Sequence, residues 1–403
     1  MRTYLVITPF FPTQDSFRGA FVYDQVKAIQ RTGLYDRIVI MRPRALWQKL
    51  EDYEYDGLMV HYFPTLMLPS NLLVGLFERI NIRLFLSSVK RIGIKIGDVV
   101  VAHAHVSMNG CYALAIKKKN PRIKALLQHH DPDPYSINLS KRFAECGWNT
   151  RLNSRYLQNI FERIDLHVCV SNKVKHNLLA FPKAGEEEVY PRYLHLLEQV
   201  EGLRNVKLKD TYVLYNGVDT QIFYPTEKKQ KSDKFVIGCI ANFLEWKDQL
   251  TLLRAIKRLL ENGARNIEAI LVGTGPMLEE CKEFVSENKL DDYVTFLLEM
   301  KHEELRDFYQ RLDLFVLSSY FEGFGCVFTE AYACGVPFMS CYHQGVSEIV
   351  EEPGKWLIEK GDDVQLTKSI VDYMDKRCSQ KLRKPYDINI LVTGFLKEIS
   401  KNF

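Results

Sequence analysis

Short apolar runs that do not alternate with polar residues punctuate the chain: TYLVIT (3–8), RIVIM (37–41), DVVVAH (98–103) and KALLQH (124–129). Continuous runs of this length suit strands of a parallel sheet covered on both faces. Between them lie segments with helical spacing, 21–30, 71–92 and 109–119. LHVCVS (166–171) and YVLYN (212–216) complete a first α/β unit. TEKKQKSDK (226–234) is polar and charged and reads as a linker. The pattern then restarts with FVIGCIAN (235–242), a helix at 248–262, and IEAILVG (267–273). VTFLL (294–298), LFVLSS (314–319), VPFMS (336–340) and KWLIE (355–359) follow, separated by helical segments. The pattern predicts two doubly wound α/β domains in tandem, over 1–220 and 221–385. A last helix at about 386–403 is expected to pack back on the first domain. The segment 183–210, with its acidic run, reads as an insertion.

Length agrees with two domains, because 403 residues exceed what one core usually supports. The N-terminus lacks the apolar length and cleavage site of a signal peptide, and no stretch approaches 18 uncharged apolar residues. Nine cysteines occur without C-x-x-C pairs or zinc spacings, which reads as reduced thiols in a cytoplasmic protein. The net charge of +4 conceals an asymmetry. Residues 1–210 carry 30 Lys/Arg and 20 Asp/Glu, and residues 211–403 carry 24 and 30. Halves of opposite sign suggest different partners, and the basic half suits an anionic lipid, an anionic acceptor or nucleic acid. Basic stretches interleaved with aromatics are absent, so nucleic acid is set aside.

In open parallel sheets, ligands bind beyond the carboxyl ends of strands. LFVLSS runs directly into EGFGCVFTEAYACGVP (322–337), so this stretch is a strand-to-helix turn. Gly323 and Gly325 permit positive φ and close backbone approach. Residues 326–334 then form a helix whose first N–H groups make an anion site. Glu322 lies on the loop and Glu330 in the second helical turn. One acid near a phosphate and one further off suit a nucleotide diphosphate bound to a sugar, with Glu330 accepting from ribose hydroxyls. The competing reading of Glu330 is an acid favoured by the helix dipole.

Glu322-x7-Glu330 with EGFG and EAYACGVP resembles the signature of retaining glycosyltransferases of family four. NGVD (216–219) with Phe223, GTGP (273–276) and GVSEIV (345–350) resemble further motifs of that family in the same order. The resemblance implies the GT-B fold, two Rossmann-like domains facing a central cleft. It implies a hexosyltransferase that is metal-independent, takes a UDP- or GDP-type sugar donor and needs no cofactor. Lys247 falls where the family places a lysine on the donor diphosphate, a compact charge for phosphate oxygens. Asn242 stands where the family usually has an arginine, which leaves diphosphate neutralisation to other groups. Donor binding is thus assigned to Glu330, Gly323, Phe324, Gly325, Cys326, Asn242 and Gly273, and catalysis to His130, Glu322 and Lys247.

His130-x2-Asp133 is similar to the family's H-G-x-D, which implies that His130 contacts the donor sugar; His129 is the competing register. Arg18 and Gly19 lie in a segment resembling the family's first strand-to-helix loop, which approaches phosphate and acceptor. His103 and His105 sit at another strand end, where packing is the commoner role. In 70–97, Leu72, Leu73, Leu76, Phe77, Ile80 and Leu84 recur at helical spacing beside Arg79, Arg83, Lys90, Arg91 and Lys95. The expected role is a helix covering the sheet. The alternative is a basic amphipathic surface on an anionic membrane, peripheral to its inner face. The function implied is hexose transfer with retention to a glycan or lipid-linked acceptor, in bacterial surface polysaccharide or glycolipid assembly. A sugar-nucleotide epimerase of the same architecture and a non-catalytic nucleotide-sugar-binding protein are the other readings.

Overall fold

The computed structural model describes residues 1–14, 16–69, 72–131, 148–179, 206–226 and 233–401. Asp133, most of the insertion 183–210 and most of the linker 226–234 lie outside the described residues. The chain divides into two units, Met1–Tyr215 with Leu391–Phe403, and Asn216–Ile390. The first break precedes the expected 220/221 because NGVD is tied into the second unit. There Val218 N donates to Tyr386 O and Ile388 N to Val218 O, each at 2.9 Å.

Unit 1 holds β1 (Thr3–Ile7), β2 (Arg37–Ala45), β3 (Tyr53–Tyr55), β4 (Leu58–Thr65), β5 (Val99–His105), β6 (Lys124–His129), β7 (Leu166–Cys169) and β8 (Thr211–Val213). They form one sheet in the order β3-β4-β2-β1-β5-β6-β7-β8. All pairings are parallel except β3 with β4. All five residues of β1 are buried, as a strand covered on both faces must be. Helices α1 (Ala20–Arg31), α2 (Glu78–Arg91), α3 (Gly110–Lys119), α4 (Trp148–Phe161) and α5 (Asn172–Leu179) belong to this unit. The helix Ile388–Lys401 begins in the other unit, and from Leu391 onward it belongs to this one. Phe395, Leu396 and Ile399 are wholly buried there, and Lys124 Nζ donates to Ile399 O at 3.1 Å.

As expected for 70–97, a helix covers the sheet, with α2 packed on β4, but the leucine stripe is not the face that does so. The helix starts only at Glu78, and it buries Asn81, Phe85, Ser88 and Val89, while Leu76 and Ile80 are exposed. Polar Asn81 is tolerated inside because its amide is satisfied. It accepts from Leu66 N at 2.8 Å and donates to Leu66 O at 2.9 Å. Phe85 packs on Phe63 and Tyr112, each with ring centroids 5.0 Å away.

Unit 2 holds β9 (Phe235–Ile240), β10 (Ile267–Val272), β11 (Val294–Leu297), β12 (Leu314–Val316), β13 (Phe338–Cys341) and β14 (Leu357–Ile358), all parallel, in the order β11-β10-β9-β12-β13-β14. This is the doubly wound order whose direction reverses between β9 and β12. Ligands bind where neighbouring loops diverge, so chemistry is expected in the segments leaving those two strands.

Candidate active site

In unit 2 the segment after β9 makes a tight turn, Glu245–Lys247, before the helix Gln249–Glu261. The segment after β12 runs from Leu317 to Gly325 and enters the helix Cys326–Ala333. LFVLSS is therefore strand only to Val316, and its serines latch the two segments together. Ser318 Oγ donates to Asp248 O at 2.6 Å, Ser319 Oγ to Trp246 O at 2.9 Å, and Tyr320 N to Trp246 O at 3.0 Å.

The latch brings Lys247 and Glu322 together, and the ammonium donates to Glu322 Oε1. Both side chains are mostly buried, so little water screens the pair. Glu322 is oriented from its main chain as well, because its N–H donates to Gln344 Oε1 at 2.8 Å. Gly325 caps the helix with φ +83°, in the left-handed region, and a Cβ there would stand 2.7 Å from the Phe328 ring. Gly323 is not among the positive-φ positions, so only one of the two glycines is required by its backbone angle. Phe324 is buried, and Cys326 is the first helical residue.

Glu330 is buried in the helix, and the Tyr309 hydroxyl donates to its Oε2 at 2.8 Å. Burial pushes its pKa up to about 7, and the tyrosine hydrogen bond opposes that only in part. Asn242 is exposed beside the turn 273–276, where Phe243 N donates to Thr274 O at 2.8 Å. Gly273 N donates to Leu297 O at 2.9 Å, which holds that turn at the end of β11.

In unit 1, Arg18 is exposed, with its guanidinium 5.0 Å from the centroid of the Phe10 ring. Gly19 caps α1 at φ +98°, where a Cβ would stand 2.6 Å from the Phe10 carbonyl carbon. No other residue fits so close to the chain leaving β1. His129 and His130 have different surroundings. His129 is 2% exposed, and its Nε2 lies 2.9 Å from His167 Nδ1. His167 Nε2 donates to Phe161 O at 2.9 Å, so His167 Nδ1 is bare and accepts from His129 Nε2–H. That leaves His129 Nδ1 as an acceptor, 3.4 Å from Ser107 Oγ. His130 is half-buried at the end of β6, with Nε2 2.9 Å from His105 Nδ1 and its ring against Phe21. His103 and His105 are core residues, His103 Nδ1 lying 2.7 Å from the Tyr4 hydroxyl. Burial lowers all five imidazoles, His103 and His130 to about 3 and His167 to about 4. They are neutral at physiological pH.

The structure thus joins Lys247 to Glu322, and in the other unit places His130 just past β6 and Arg18 and Gly19 at the start of α1. Gln344, Tyr309 and the Ser318–Ser319 latch were not singled out from sequence. Paired serines at the end of an apolar run were the available signal for the latch, while Gln344 and Tyr309 carried none.

Residues 221–389 match the family model described as "Glycosyl transferases group 1". EpsF of Bacillus subtilis (strain 168), classed as a glycosyltransferase, is 34% identical over 246 residues, covering 55% of this chain and 58% of that protein. The lipopolysaccharide core biosynthesis mannosyltransferase LpsB of Rhizobium meliloti (strain 1021) is 33% identical over 186 residues, covering 41% of this chain and 51% of its own. The matched stretches span about half the length of these relatives. The crystal structure of Anabaena HepE with UDP and glucose superposes with a TM-score of 0.68 at 16% identity, covering 100% of both chains. That likeness shows the fold, which is the GT-B fold.

Proposed function

We propose that this chain, whose residues 221–389 match the glycosyl transferases group 1 family model, moves a hexose from a nucleoside-diphosphate sugar to an acceptor hydroxyl with retention of configuration. The observation that carries the reading is the Lys247–Glu322 pair at the point where the sheet order reverses, beside the N-terminus of the helix Cys326–Ala333. A diphosphate entering there offers Lys247 a stronger counter-ion than a carboxylate. Glu322 is then released to accept from hydroxyls of the donor sugar. The helix N-terminus and Lys247 stabilise the charge that grows on the leaving phosphate as the bond from the anomeric carbon breaks. The acceptor oxygen bonds to the same face of that carbon, and a leaving-phosphate oxygen takes its proton. This scheme assigns no metal a role.

Glu330, held away from water, accepts from ribose hydroxyls. On unit 1 the motif resemblance gives His130 the sugar-contacting role and Arg18 and Gly19 the phosphate or acceptor role. The UDP seen with HepE supports a UDP donor, and the mannosyltransferase relative keeps GDP in view. The name of that relative also supports surface-glycan or glycolipid assembly as the setting. The test is transfer from a panel of UDP- and GDP-sugars in the presence of membrane extract. Lys247→Ala and Glu322→Ala should each lower turnover by at least about a hundredfold, the range expected for losing a transition-state donor. Near-normal transfer by both variants defeats the assignment, and product formed without any acceptor points to epimerisation instead.

A further inference from the structure

Glu322 lies beyond the point where β12 and β13 stop pairing, so the sheet ladder does not hold its main chain. The ladder ends with Leu317 N donating to Met339 O at 3.1 Å, and the Cys341 thiol then donates to Ser318 O at 3.1 Å. Ser319 and Tyr320 next turn to the carbonyl of Trp246. A buried N–H past the end of a ladder must find its partner elsewhere. For Glu322 that partner is a side chain, the amide of Gln344.

Gln344 is buried three residues past the end of β13, and its amide is used in both directions. Its Oε1 accepts from Glu322 N at 2.8 Å, and its Nε2 donates to Tyr342 O at 3.3 Å. Gly345 N donates to Glu322 O at 3.4 Å, so consecutive residues hold both main-chain polar groups of Glu322. The clasp is itself fixed, because Ser347 donates to Gln344 O from its Oγ at 2.6 Å and from its N–H at 3.0 Å. The residue before it, His343, stands at φ 64°, left-handed backbone without a glycine. Strain of that kind persists only where surrounding bonds over-determine it, and it gathers at functional sites.

The carboxylate of Glu322 is held differently. Its partner Lys247 comes from the segment after β9, and the proposed reaction draws that partner away when a diphosphate arrives. A carboxylate that changes partners during turnover keeps its place only if its main chain is locked by a supporting shell. We infer that Gln344 is a positioning residue for the transfer reaction, pinning the Glu322 main chain while the carboxylate exchanges Lys247 for hydroxyls of the donor sugar. It serves the sugar half of the donor and not the nucleotide half. The inference deepens the proposed function and rests on the role given there to Glu322.

The test uses the full chain and whichever nucleotide sugar of the UDP and GDP panel turns over fastest. Gln344→Met removes both amide bonds at similar side-chain length. Gln344→Glu keeps an acceptor for Glu322 N and loses only the donor to Tyr342 O. Misplacing a reacting group by about 1 Å costs up to about a hundredfold, so Gln344→Met should lower kcat by at least about tenfold. UDP or GDP binding, followed by calorimetry, should match wild type in both variants, and Gln344→Glu should recover most of the lost kcat. Should Gln344→Met not fold, Gln344→Asn, whose acceptor falls one methylene short, should show the same split. A residue that merely braces the loop gives another pattern: nucleotide affinity falls together with kcat, and the two variants are equally impaired. That pattern overturns the positioning role, and so does wild-type kcat in Gln344→Met. Wild type that turns over no nucleotide sugar sinks the proposed function and the positioning role with it, whereas an active wild type matched by Gln344→Met sinks the positioning role alone.

Discussion

Glu330 is a buried acid with the Tyr309 hydroxyl on one oxygen, and that surrounding sets its titration. Its folded pKa of about 7 stands above its ordinary 4.5. The unfolded chain therefore loses this proton first, and stability falls as pH rises from about 4.5 to about 7. The full effect is on the order of 3 kcal/mol for a shift of this size. Glu330→Gln keeps an acceptor for Tyr309 and removes the titration. Denaturant unfolding should show the variant gaining on wild type between about pH 5 and pH 8, and an unchanged difference would sink the account. The two glutamates and Lys247 could be picked out from sequence because motif spacing fixes them. Their environments could not, since Tyr309 and Gln344 arrive from other loops and no local pattern announces them.

At the scale of elements, the turn into the helix Cys326–Ala333 depends on Gly325. A methyl group there meets Phe328 and forces a side-chain-bearing residue into left-handed backbone. Gly325→Ala should cost about 1–3 kcal/mol, readable as a lowered thermal midpoint of unit 2, and should weaken UDP or GDP binding more than the stability loss accounts for. Unaltered nucleotide affinity would separate the turn from the donor site. Buried strands were the most readable elements: KALLQH coincides with β6, and RIVIM forms the start of β2. The β3–β4 hairpin was not foreseen, because LMVHYFPT mixes buried and exposed positions at a sheet edge. The start of α2 was misjudged for a related reason, since leucines 72, 73 and 76 suggest a helix where the chain instead makes turns around a cavity.

At the scale of the molecule, the two-unit plan was readable from the restart of the strand pattern at Phe235. The boundary residues were not, because the pairing of Val218 with Asp387 joins segments far apart in sequence. The five imidazoles of unit 1 give the plan a thermodynamic signature. All are lowered from an ordinary 6.5, so the unfolded chain takes up protons below that value while the folded unit does not. Each then withdraws about 1.4 kcal/mol per pH unit until its folded pKa is reached. Over the same range Glu330 moves unit 2 the other way. Calorimetric scans from about pH 7 to pH 5 should therefore show the transition of unit 1 falling away from that of unit 2, and transitions that descend together would refute it. Neutral histidines run through three neighbouring strands of one sheet as greasy side chains might, yet each remains a dormant base. Mild acid becomes a reagent that dissolves one half of the protein first, so a protease added at that pH should release unit 2 as a surviving fragment.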